Sequence, residues 1–445
     1  MKRAAYREFE NLLSWHTPVG KAINFFFYVS VSAFIVFLLF HVPQYAVGDE
    51  IFYISSAHAF ANHSWYQEMA NGNPVGYTYP LYLLSKSGIG YLVSGYIISM
   101  VSTALVFAGL YIISRNNFGL KGAYLNLGVV GMLLAVFQDN FVCIVSDDMY
   151  YSAFFIWIIV YLAEAVQQGR SWKSFALAGL FMSASLMIRP LTLVYFPATL
   201  LVMFIVFFII KNERAKYAVG VFAFVFAFGA VFFMQQYPAL RAKGNFAFEN
   251  KVPDSLDNRI NWVQKNTLTA ILKNKGEPLD ENNRYASWKQ CEDYLRTHGR
   301  NSLPANVFSQ LQQYPLLVSK WVCIGLLKVT YTFFTHTGFI FLAALFFLFR
   351  LSRKSYLKYN FITILLISYI GLYLLRGTSV VENRHLIIPH LLLFLMGIHF
   401  LQKKKAEGNQ YANALLIAQL TALVVILALE FKIYFFHAQG AVFYN

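Results

Sequence analysis

Runs of about twenty apolar residues recur from Ile23 to Tyr434, and a helix of that length is what crosses ~30 Å of hydrocarbon. No other feature of the chain limits its fold as strongly. Inside a bilayer every backbone N–H and C=O must bond within the protein, so only helices or closed barrels can span it. The ten-residue alternation of barrel strands is absent from these runs, which leaves helices. Composition agrees, with 58% of the 445 residues hydrophobic and 13% charged, against roughly 25% charged in soluble domains. The expected fold class is an all-α polytopic membrane protein of about eleven spans. They lie near 23–42, 91–114, 121–138, 149–167, 174–189, 191–210, 216–236, 333–350, 359–375, 385–401 and 412–434.

A net charge of +15 in a soluble chain would point to nucleic acid. Here the cations sit in short clusters between spans, and topology accounts for them. With Lys2, Arg3, Arg7 and Lys21 in the cytoplasm, the loops that must share that side hold Arg115 and Lys121, Arg170 and Lys173, and Lys211, Arg214 and Lys216. Arg350, Arg353, Lys354 and Lys358 come next, then Lys403 to Lys405. Every expected inner loop is basic, as the positive-inside rule requires. The C-terminus then lies outside the cell membrane, as do Asp49, Glu50, Glu68, Asp139, Asp147 and Asp148. The first apolar run is too long for the h-region of a cleaved signal, about 7 to 15 residues, and is expected to remain as a span. Cys143, Cys291 and Cys323 have no metal-ligand spacing and are read as free thiols, with one disulfide among them as the alternative.

Two outer segments exceed the usual connector of about 2 to 8 residues. The first, 44–90, carries Gly48-Asp49-Glu50, a half-apolar stretch from Ile51 to Asn62, the turn-rich Asn71-Gly72-Asn73-Pro74, and Tyr79-Pro80-Leu81-Tyr82 ahead of Lys86. The second, 237–332, is the only sustained polar stretch and mixes both charge signs like a folded surface. The chain therefore divides into a membrane module at 1–236 that contains the first outer loop, an outer region at 237–332, and closing spans at 333–445. Leu311 to Lys328 is read as an interfacial helix, because counting it as a span would turn the later basic loops outward.

The candidate chemistry gathers on the outer side. Asp49 at the head of a half-apolar helix would serve as a cap, accepting backbone N–H groups at the positive end of the dipole. It equally meets the requirement of a general base, a carboxylate within reach of an acceptor hydroxyl, and Glu50 beside it is not explained by capping. Asp147 and Asp148 open a span behind Ser146, a suitable N-cap, and acids are favourable in a first turn. Alternatively they position an acceptor, orient the base, or hold a divalent cation through hard oxygen ligands. Arg189, Arg376 and Arg384 lie on the side where the positive-inside pattern expects few cations. A ligand anion would explain them, since a guanidinium matches phosphate oxygens in a planar fork; pairing with outer acids such as Glu382 is the alternative. Lys86 offers a further point charge, and His385 a hydrogen bond beside Arg384. His58 and His63, and His385 and His390, are five apart and do not match a helical zinc pair.

With these residues assembled, the chain resembles the GT-C superfamily of integral-membrane glycosyltransferases that use a polyprenyl-phosphate sugar, which includes protein O-mannosyltransferases and lipid A aminoarabinose transferases. The likeness rests on Gly48-Asp49-Glu50 with Tyr53, Asp147-Asp148, Arg189-Pro190, and Arg384-His385-Leu386-Ile387-Ile388-Pro389 opening a late span. The resemblance implies Asp49 as base and Lys86, Arg189 and Arg384 as ligands of the lipid phosphate. It also implies inverting transfer of the sugar to a hydroxyl of a glycan, lipid or protein acceptor. The expected setting is a bacterial inner membrane, with the site facing the periplasm and a cell-envelope glycan or lipopolysaccharide as acceptor. Where the family often has Arg-Tyr this chain has Arg384-His385, and it has two acids where some members have one. A flippase of lipid-linked sugar is the rival from another class, but transporters carry ionisable groups near the midplane, and here the expected span interiors are almost free of charge. A polysaccharide polymerase or ligase would share the same residue logic.

Overall fold

The computed structural model describes residues 49–122, 145–167, 171–209, 213–244, 260–281, 284–338, 357–375 and 381–409, with isolated positions elsewhere. The expected spans at 23–42, 121–138 and 412–434 fall largely outside the described residues. Among those described, the chain is helical apart from a single bridge between Glu281 and Tyr285. Among the described residues five helical segments are long and apolar enough to cross a bilayer: Tyr91–Asn117, Asp147–Val166, Arg214–Lys243, Pro315–Phe334 and Arg384–Ala406. Shorter apolar helices run over Trp172–Ile188, Thr192–Phe208 and Phe361–Leu375.

The loop expected on the outer side folds as α1 (Asp49–His58), α2 (Trp65–Asn71) and α3 (Val75–Lys86). Ser64 and Gln67 form a reciprocal capping box at the start of α2, and Gly72 ends it with φ 82°, a conformation glycine adopts without a Cβ clash. Glu68 is buried and anchors the loop: it accepts from Asn73 at 2.8 Å and pairs with His63 Nδ1 at 2.5 Å. Asn73 also donates to the Ser56 carbonyl. These bonds draw the Asn71–Pro74 turn against the end of α1.

The membrane module continues with α4 (Tyr91–Ile112), α5 (Asp147–Gln167), α6 (Trp172–Ile188), α7 (Thr192–Ile209) and α8 (Arg214–Lys243). Small residues bring these helices together, as expected where lipid supplies no hydrophobic drive between them. A methyl group at Gly95 would come within 2.7 Å of the Val145 side chain, so α4 packs tightly on the segment that leads into α5. A methyl group at Gly179 would overlap the Phe224 carbonyl, which fixes the close approach of α6 and α8. Gly179→Ala is predicted to destabilise the protein by about 1–3 kcal/mol through overpacking. Gly229→Ala, where a Cβ meets nothing within 4 Å, is predicted to be neutral or slightly stabilising. Thermal unfolding of the two purified variants checks the pair, and equal midpoints would contradict it.

The segment expected outside, termed the outer region, contains α9 (Trp262–Lys275), α10 (Trp288–His298) and α11 (Val307–Gln313). It has its own small core of Ile260, Leu268, Leu272, Leu279, Ala286, Trp288, Cys291 and Leu303. Lys265 is buried among Trp262, Tyr285 and Trp288 and is paired with Glu281 at 2.8 Å, so its charge is matched by a carboxylate and by ring faces. Cys291 is a buried free thiol and Cys323 an exposed one, whereas Cys143 lies outside the described residues.

The last described helices are α12 (Pro315–Thr337), α13 (Leu357–Leu375) and α14 (Ile387–Ala406). By length and composition α12 could cross a bilayer by itself, unlike the interfacial helix expected over 311–328. Its neighbours place it more finely. Lys320 bonds Asn274 of α9, Gly325 packs against Leu374 at the very end of α13 and against Val381, and Phe333 stacks edge-on against His390 in the first turn of α14. The first ten residues of α12 thus lie with the outer region, beyond the ends of α13 and α14, and only the remainder runs down beside them. Further along, Ile340 reaches Gly397 of α14.

The two ends of the bundle differ chemically. At one end Gln402 accepts from the Lys121 N–H and donates to the Gly119 carbonyl, and Lys405 lies over the Tyr124 ring, which joins the basic turn after α4 to the basic end of α14. At the other end meet the starts of α1, α3, α5 and α14 and the ends of α6 and α13.

Candidate active site

Ser146 caps α5: its hydroxyl accepts from the Asp148 N–H at 3.3 Å and donates to Asp148 Oδ2. Capping therefore accounts for part of the acidic pair. The rest is tertiary, because the end of α6 carries Arg189 into the same space. Arg189 Nε donates to Asp147 Oδ2 at 3.0 Å and Nη2 to Oδ1, a two-pronged pairing, while Nη1 donates to Asp148 Oδ1 at 2.6 Å. The guanidinium also faces the Tyr151 ring at 5.8 Å. All three charged groups are buried, with the Arg189 side chain 9% exposed and the two acids 1% or less. Charge-assisted forks of this kind are among the stronger hydrogen bonds, and out of water they hold only as a set.

Glu50 approaches from α1 and accepts the Val145 N–H at 2.9 Å, which ties the first outer loop to the lead-in of α5. Asp49 is the first residue of α1, one position from buried Glu50; its side chain lies outside the described residues, as does the whole of Arg376. From the late connection, Arg384 Nη1 stands 3.7 Å from Asp148 Oδ2 and Nε donates to Glu382 at 3.0 Å. Its side chain is 30% exposed, in contrast to that of Arg189.

Glu382 organises this second group. It accepts from the Tyr285 hydroxyl at 2.6 Å, lies 3.4 Å from His385 Nε2, and its own N–H donates to the Tyr373 hydroxyl. His385 Nδ1 lies 3.3 Å from the same Tyr373 oxygen. Tyr285 thereby attaches the outer region to the site. Lys86, expected as a phosphate ligand, is not brought in by the fold: its ammonium lies over the Tyr82 ring at 5.4 Å, exposed at the far end of α3. It is nine residues beyond Tyr77, about 13 Å along the helix.

Sequence reasoning passed over Tyr77, Tyr285 and Tyr373. In a chain with 29 tyrosines none of them has a spacing that marks it, and only the fold shows what surrounds each. Tyr77 is wholly buried, and burial together with the charges of Asp147, Asp148 and Glu50 pushes its phenol well above its ordinary range. It remains a neutral donor.

The donor set argues against a divalent cation on the acidic pair. Both oxygens of Asp147 face Arg189, and those of Asp148 face Arg189, Ser146 and Arg384. Among the described residues no group of three histidine, cysteine or acidic side chains is arranged to hold a metal.

Residues 87–232 match the family model described as dolichyl-phosphate-mannose-protein mannosyltransferase. The matched segment includes α4 to α7, most of α8, and the Asp147, Asp148 and Arg189 cluster. No curated protein and no solved structure matches the chain. Over this segment, within a helical membrane architecture, the chain is similar to the GT-C integral-membrane glycosyltransferases.

Proposed function

We propose that the protein transfers a sugar from a polyprenyl-phosphate donor to an acceptor hydroxyl at the extracytoplasmic face of the membrane. The observation that carries this is the meeting of Asp147, Asp148, Arg189 and Arg384 at one end of the bundle, on the side opposite the basic turns, with three of the four inside the family-matched segment. Asp49 would take the proton of the acceptor hydroxyl as the oxygen attacks the anomeric carbon. The bond from that carbon to the phosphate oxygen breaks, and its electron pair leaves with polyprenyl phosphate. The departing phosphate needs cations placed in advance, not a proton. Arg384, partly exposed, is suited to meet it. Arg189, whose donors already face two aspartates, acts in this scheme by holding the acids in place. Attack opposite the leaving group inverts the anomeric centre.

The basic inner turns favour a plasma-type membrane with the site outside, and a cell-envelope glycan or lipopolysaccharide is the acceptor class that suits such a face. Purified protein in nanodiscs, given polyprenyl-phosphate mannose and a lipopolysaccharide or glycan fraction, is expected to release polyprenyl phosphate and glycosylate the acceptor. Movement of intact lipid-linked sugar between leaflets without its cleavage would replace this reading with that of a flippase.

A further inference from the structure

The Tyr77 hydroxyl is buried and has no hydrogen-bond partner among the described residues. A phenylalanine would fill the same space without that cost, since a buried donor left unmade destabilises a fold. Its setting is specific. The ring meets Tyr53 edge-on, with centroids 5.0 Å apart, and inclines toward Tyr150 at 6.0 Å. Tyr53 stands one turn after Glu50 on α1, and Tyr150 one turn after Asp147 on α5. The phenol therefore lies between the two helices whose first turns bear the site's carboxylates. It is also held in place, because a Cβ at Gly76 would come within 2.8 Å of the Met187 backbone, two residues before Arg189.

The chemistry around the hydroxyl selects its partner. A phosphate would add an anion beside Glu50, Asp147 and Asp148. A metal ion or ammonium group has no use for an O–H donor. An alcohol suits both sides, accepting from the phenol and donating to a remaining lone pair of a neighbouring carboxylate. We propose that Tyr77, with Glu50 and Asp147, forms a subsite for a hydroxyl group of the donor's sugar. This rests on the donor being a lipid-linked sugar, as proposed above; it adds that the carbohydrate end lies against α1, α3 and α5, with the phosphate on the Arg384 side.

Full-length wild type and Tyr77→Phe, both in nanodiscs, can be compared for binding bare polyprenyl phosphate and polyprenyl-phosphate mannose, glucose and galactose. Wild type is expected to bind at least one sugar-bearing lipid more tightly than the bare lipid. Tyr77→Phe should weaken that lipid roughly five- to tenfold, the effect of one hydrogen bond, and leave the bare lipid unchanged. Without lipid, the variant should unfold at the wild-type temperature or above. The subsite is overturned if the variant binds every lipid like wild type, or if bare lipid weakens equally. It is also overturned if no sugar improves binding to wild type, or if the lipid-free variant unfolds several degrees lower, which would reveal a structural partner. Wild type that binds none of the lipids, bare included, would instead remove the lipid-linked donor itself.

Discussion

Replacing Arg189 by methionine will cost roughly 3–5 kcal/mol of stability, the expense of leaving a buried ion pair one-sided. Methionine preserves much of the side chain's length, so the loss reports charge more than volume. Two carboxylates are affected, since Arg189 donates to both Asp147 and Asp148 and all three are buried. Arg384 is 3.7 Å from Asp148 and has Glu382 to satisfy, so it compensates only in part. Adding Asp147→Asn and Asp148→Asn to Arg189→Met should recover most of the lost stability, because the uncompensated charges are gone. The triple variant should nevertheless lack activity if the acids orient the reacting groups. Thermal or denaturant unfolding of the single and triple variants tests this. A single variant as stable as wild type would show that the cluster contributes little to the fold, and failure of the triple variant to recover would show that shape matters more than charge.

Asp49→Asn is expected to lower kcat by about 10²–10⁴-fold, the contribution of a positioned general base. The unfolding temperature should be nearly unchanged. Asparagine keeps the size of aspartate and a side-chain acceptor in the first turn, so this substitution separates the two roles that the sequence leaves open at the head of α1. Asp49→Ala removes both functions and should lose activity and about 1 kcal/mol besides. Release of polyprenyl phosphate at saturating donor gives kcat directly. Turnover by Asp49→Asn at the wild-type rate would take the base away from this residue and leave Asp49 as a cap.

Much of the helical framework was legible from hydrophobic run length. The spans expected at 149–167, 191–210, 359–375 and 385–401 correspond to α5, α7, α13 and α14 within a few residues, since about twenty apolar residues leave the backbone little choice in a membrane. Helix ends were less legible where polar residues continue the helix. The span expected to stop at 236 runs on as α8 to Lys243, because Gln235 donates to the Ser183 carbonyl and Gln236 accepts from Ala247. Those partners are distant in sequence. Helix α12 continues to Thr337, with Gly338 at φ 59°, past the 328 expected for an interfacial helix and through the start of the span expected from 333, and its first half is held by α9 and by the end of α13.

The same division applies to the site. By itself the sequence determined a helical membrane protein, the sorting of basic turns from acidic ones, and a short list of acids and arginines to examine together, because hydrophobic length and charge placement are local properties. Which cation meets which acid was decided by tertiary structure alone. Arg189 and Asp147 are brought together across 42 positions by the packing of α6 on α5, which gives a candidate phosphate ligand two aspartate partners. Tyr77 became visible only when α1, α3 and α5 closed around it, because whether a hydroxyl has a partner is a property of its surroundings in space, which no single position in the chain contains.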